Sequence, residues 1–176
     1  MRRLATLLLT ALLLTPLAAV AQGLTDHPGF VDFGDLDGIA DVEPTVEVSL
    51  GPALLGFLRK TVANEDPELS STLGKLRGIE LRVFELRADQ LDNARDQALS
   101  ISKRLKSADW EPALRVRGGD GTVHMFMKTR DEIVEGMVVM IVESGGDAVF
   151  LNIVGEIDPE QLGSVASRFG VDLDDL

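Results

Sequence analysis

Proton transfer or nucleophilic attack near neutral pH is most readily carried by histidine, cysteine or tyrosine, or by a serine, lysine or carboxylate tuned by its neighbours. The supply here is short: two histidines, no cysteine and no tyrosine in 176 residues. His27 lies in an acidic N-terminal stretch and His124 in a run of strand character. No HExxH, GxSxG or paired-histidine spacing occurs. Ser100-Ile101-Ser102-Lys103 matches the serine-x-x-lysine pattern of penicillin-recognising acylases, but no SDN or KTG element accompanies it, and the four residues fall inside a long helical periodicity. No catalytic residue is assigned, and the chain is not expected to be an enzyme.

Metal and anion chemistry fare little better. Without cysteine there is no thiolate site and no disulfide. Met125, Met127, Met137 and Met140 lie close together beside His124, and thioethers with imidazole suit monovalent copper. On strands, however, Met125 and Met127 share a face that His124 does not, and Met137 and Met140, three apart, face opposite ways. Adaptable core filling is the role this supports. Asp35-Leu36-Asp37-Gly38 suggests a calcium loop, yet that register puts Phe33 and Pro44 where its first and last carboxylates belong. Gly118-Gly119-Asp120-Gly121 separates two strand patterns and opens no helix, the wrong context for a phosphate cradle. No metal ligand and no cofactor is assigned. Two features stay open. Asn152 is an amide inside a strand that reads as central, to be satisfied by a neighbouring loop or to line a pocket. Arg115, Arg117, Lys128 and Arg130, on adjacent strands, are expected to gather into a basic spot, met by surface carboxylates, a carboxylate ligand or the acidic arm.

The elements that must hold these residues begin after a leader. Arg2 and Arg3, the apolar run Leu4 to Val20 and the small residues of Ala19-Val20-Ala21 read as a signal peptide over 1–21, cleaved near Ala21. The expected location is the periplasm or outside the cell, with no stable membrane insertion after cleavage. The whole chain has net charge −12, and both Arg2 and Arg3 leave with the leader, so nucleic acid and anionic lipid are poor partners. Residues 22–44 carry six carboxylates and no lysine or arginine. They read as a mobile acidic arm, pinned to the body by Phe30 and Phe33. A single domain is expected over 45–170, and Asp172, Asp174 and Asp175 mark an acidic tail over 171–176.

Within that domain TVEVSL from Thr45 alternates as a strand, and ALLGFLRKTVA has leucines and Phe57 nearly all round it, predicting a deeply buried helix. A second helix starts at Asp66-Pro67-Glu68, cap then proline. Ile79 to Leu86 is a strand whose mixed second face suggests partial cover. Asp89 to Ala108 is the longest helix, with Leu91, Ala94, Ala98, Ile101, Leu105 and Ala108 on one side. Further strands are expected at 113–117, 122–128, 137–142 and 149–154. Asp158-Pro159-Glu160-Gln161 then opens a last, docked helix. Helices early and strands late predict an α+β fold: a largely antiparallel sheet of about six strands with helices packed on one face.

The succession Asp131-Glu132-Ile133, Met137 to Glu143, Ser144-Gly145-Gly146-Asp147, Val149 to Val154 and Gly155-Glu156-Ile157-Asp158 resembles the bacterial exported family catalogued as domain of unknown function 4252. VEVSL with its leucine-rich helix and IELRVFEL fit it too. The resemblance implies a small exported α+β protein with no assigned activity and no defined catalytic residues. It also implies a link to envelope signalling or stress, since such chains are often encoded near extracytoplasmic sigma and anti-sigma factors. The expected function is binding of a protein or envelope component; a periplasmic small-ligand or metal carrier is the alternative. Oligomeric state is not legible.

Overall fold

The computed structural model describes residues 23–33, 36, 39 and 42–157. The leader, Asp35, Asp37 and Gly38 of the suggested calcium loop, and the helix and tail expected from Asp158 onward lie outside the described residues. The elements are β1 (Val46–Leu50), α1 (Pro52–Val62), α2 (Pro67–Lys75), β2 (Leu76–Glu85), α3 (Leu91–Ser107), β3 (Glu111–Gly118), β4 (Gly121–Arg130), β5 (Ile133–Glu143) and β6 (Asp147–Ile157). The strands form one sheet in the order β1-β2-β6-β5-β4-β3, antiparallel at every pairing. The α+β expectation is met.

Connection lengths explain this order. A helical excursion through α1 and α2 returns the chain beside β1, and α3 carries it from β2 to the far edge. Three short turns then bring β3, β4, β5 and β6 back across the sheet until β6 lies next to β2. The β4–β5 turn uses two non-glycine residues at positive φ, Asp131 (49°) and Glu132 (68°). A two-residue hairpin matched to strand twist needs such a pair.

Helix ends obey their signals. Asp66 Oδ1 accepts from Leu69 N at 2.9 Å, with Pro67 opening α2. At the C-terminal end of α3, Lys128 Nζ donates to Ala108 O at 2.6 Å, a cation on the negative pole of the helix. The deep burial expected for the first helix does not occur. Leu55 is the one buried side chain of α1, while Leu54 is 44% and Phe57 64% exposed. Leucines all round a helix mean burial only if neighbours surround it, and α1 packs chiefly on α2.

The main core lies between α3 and one sheet face. Leu91, Ala94, Ala98, Ile101 and Leu105 of α3 meet Phe84, Phe126, Val138, Met140, Val142, Ala148 and Phe150 from the strands. The arm departs from its expected mobility. Val31, Phe33, Leu36 and Ile39, from the stretch read as mobile and acidic, are buried in this same core, and Phe33 packs edge-on to Phe150 with ring centroids 6.2 Å apart. Phe33 pins the arm as expected; Phe30 is only half-buried. Alternation of apolar residues with aspartates hid a segment that lays one side on the sheet. Arg82 Nη1 and Arg104 Nη2 hold it further by donating to Phe33 O and Asp32 O, each at 2.9 Å.

Candidate functional site

Asn152 is the centre of the arm's attachment. It is fully buried on β6; its Oδ1 accepts from Val31 N at 2.9 Å, and its Nδ2 donates to Gly29 O at 3.0 Å and to Met137 O at 3.1 Å. One amide thus reads the arm's backbone as a neighbouring strand would, and every polar atom of the side chain is satisfied. Gly29 and Gly136 allow the approach: a Cβ on Gly136 would lie 2.5 Å from Gly29 Cα and 2.6 Å from its carbonyl oxygen.

Of the chemistry-bearing residues the structure unites one pair. His124 and Ser102 are both buried, with Nδ1 and Oγ 2.9 Å apart. Ser102 Oγ donates its proton to Ala98 O at 2.7 Å, so it accepts from an Nδ1–H of His124. That polarity is opposite to a nucleophile facing its base, where the hydroxyl proton points at the imidazole. Burial, then Arg115, Arg117 and Lys106, push the His124 pKa down and hold the ring neutral. Ser100 of the serine-x-x-lysine match is exposed on α3, as is Lys103, and the buried serine is its neighbour Ser102. His27 accepts from Gly29 N at 3.1 Å and is also pushed down, chiefly by burial, against the opposing carboxylate of Glu135.

The expected basic spot is divided. Arg115 and Arg117 flank His124, Lys128 caps α3, and Arg130 pairs with Glu135 at 3.2 Å. Clefts of about 290 and 240 Å³ lie on either side of His124, lined by Arg95, Arg117 and Leu99 in one case and by Lys103, Lys106, Arg115 and Leu99 in the other. The methionines are divided as well. Met140 pairs across the ladder with His124 and is buried under α3. Met125, Met127 and Met137 belong to a second cluster with Val139 and Ile153. The sheet therefore stands between the ligands a copper site would need to bring together. Among the described residues no group of three or more histidines, aspartates and glutamates is placed to hold a metal ion.

The second face is what reading single strands missed. Strand register lines its residues into rows. Val46, Val83, Val149, Ile141, Val123 and Val116 form one; Val48, Leu81, Leu151, Val139, Met125 and Leu114 form the next; Leu50, Ile79, Ile153, Met137 and Met127 form the third. These residues are apolar, Glu111 opposite Met127 ends the third row at the edge strand, and all except Met137 remain at least partly accessible. Among the described residues, none from a helix or from the arm belongs to the cluster on this side. At about 4.8 Å between strands and about 6.8 Å between same-face residues, the rows cover roughly 25 by 15 Å. That approaches the largest apolar patch a monomeric soluble domain ordinarily leaves open.

Polarity at the β1–β2 edge is the reverse of what alternation alone suggests. Val46, Val48 and Leu50 with Ile79, Leu81 and Val83 look core-facing, yet they lie on the face away from α3, and the α3 face takes Glu47, Ser49, Glu80 and Arg82, of which Glu47 and Ser49 are exposed. The available signal was β5 and β6, whose runs are apolar at both parities. A strand apolar on both faces is built to be covered on both.

Taken together these features define an α+β domain built on a six-stranded antiparallel sheet, covered on one face by a helix and an arm and, among the described residues, apolar and partly accessible on the other. The chain belongs to the family described as Domain of unknown function (DUF4252), whose model matches residues 41–165. No curated protein and no solved structure matches it. The matched range takes in all six strands and α1 to α3, whereas Gly29, Val31 and Phe33 of the arm precede it.

Proposed function

We propose that this chain is an exported, non-enzymatic domain that binds a protein partner of the cell envelope through its open sheet face, in the service of envelope signalling or stress. The observation that carries this reading is the continuous apolar face. A flat patch of that size suits a protein surface better than a small molecule, which wants concavity on several sides. Export rests on the leader-like residues 1–21, and the net charge of −12 disfavours nucleic acid.

A small-ligand or metal carrier has less support. The clefts beside His124 are small, at about 290 and 240 Å³, and arginine or lysine stands at the wall of each, and the methionine set is split by the sheet. Among the described residues no helix is long and apolar enough to cross a membrane.

The test is a photo-crosslinking residue in place of Leu81, activated in cells expressing the full chain. A discrete protein adduct, lost when Val48 is changed to lysine, is the expected result. No adduct from this face, together with a small molecule that copurifies at one per chain, would favour the carrier.

A further inference from the structure

The open face has a candidate occupant within the chain itself. β6 delivers the backbone to it: Ile157, the last described residue, is buried with Val134 and Met137 in the cluster on the open side. Nineteen residues remain beyond it, 158 to 176. Their sequence carries the cap and proline of Asp158-Pro159, then Leu162, Val165, Ala166 and Phe169 at helical spacing, and Gly170 as a stop. Glu160, Ser164, Ser167 and Arg168 fill the opposite side.

From these observations we infer that the segment 158–176 docks its apolar stripe on the methionine end of the open face, over Met125, Met127 and Met137. The sizes agree. A helix of eleven residues is about 16 Å long and about 10 Å wide, which spans the three rows lengthwise and covers about two strands of the six. Three methionines in one place supply a bed of adaptable side chains that accepts a helix without one fixed interlock. The uncovered strands, β1 and β2 among them, stay available, so segment and partner share the face or compete where they meet. This deepens the proposed function and rests on it only for that competition; the docking itself stands on where β6 ends and on the apolar spacing of Leu162 to Phe169.

The experiment uses the full chain after leader removal, with benzoylphenylalanine in place of Phe169. Crosslinks within one chain to Met125, Met127 or Met137 are expected. A product of twice the chain mass would assign the stripe to a second copy and overturn the inference, as would crosslinks to the α3 side or none at all. In a second measurement, Leu162→Glu and Phe169→Glu are exposed to peroxide and their methionines monitored residue by residue. Oxidation of Met125, Met127 and Met137 should accelerate severalfold over the unsubstituted chain, while Met140 beneath α3 reports that the fold is intact. Equal rates with Met140 still protected would overturn the docking. If the intramolecular crosslink forms but Leu81 captures no protein, the docking stands and the functional reading falls; capture through Leu81 with unchanged methionine oxidation gives the reverse.

Discussion

Asn152 carries more than its share of the arm's attachment because each of its polar atoms is matched inside a dry core. Asn152→Ala removes those bonds and leaves Val31 N and Gly29 O unpaired. Urea unfolding should show a loss of about 2–4 kcal/mol. Asn152→Asp should be worse at neutral pH, because a carboxylate would face the carbonyls of Gly29 and Met137, and it should recover partly on acidification as a protonated acid regains a donor. His124 sets a second pH dependence. Its folded pKa is below the ordinary 6.5, so the unfolded chain binds the proton more readily. Its contribution is fully present above that ordinary value and is lost as pH falls from there toward the folded pKa. His27 adds in the same direction. Stability measured between pH 7 and pH 5 should decline in the parent and decline less in His124→Gln; equal slopes would remove His124 from the explanation.

At the scale of elements, the arm and the hairpins decide how the sheet is dressed. Gly136→Ala would press a methyl group against the backbone of Gly29, so β5 and the arm cannot both keep their places. Overpacking of this kind costs about 1–3 kcal/mol. The arm should lift first, seen as faster amide exchange at Val31 and Phe33 than at Val138 or Phe150. The β4–β5 turn invites the opposite change. Asp131 and Glu132 both sit at positive φ, where Asn-Gly is at ease, so the double replacement Asp131→Asn, Glu132→Gly should raise the unfolding midpoint by the equivalent of about 1–2 kcal/mol. The strands and hairpins were legible because their signals are local: β-branched runs bounded by glycine and aspartate. So was α3, from the spacing of Leu91 to Leu105. The arm was misread because its burial depends on Asn152, more than a hundred positions later, and α1 because its leucine count says nothing about neighbours.

For the whole molecule the decisive asymmetry is between the two sheet faces. Phe150→Ala, on the closed side, should cost about 3–5 kcal/mol through the cavity it leaves. Leu81→Lys, on the open side, should change stability by less than about 1 kcal/mol, as surface substitutions do, while lowering the binding of an apolar dye. Comparable losses at both positions would mean that the second face is closed. The sequence by itself determined the α+β class, the strands, the long helix and the resemblance to a family, since these arise from periodicity and turn chemistry within short windows. It also held every apolar residue of the open face in plain view. Only the tertiary structure decided which way those residues point. Alternation sorts a strand's side chains into two sets, but which set meets α3 and the arm depends on pairings between distant strands. At β1 and β2 those pairings turn the apolar set away from α3, and so make an ordinary-looking strand pattern part of the surface on which function is proposed.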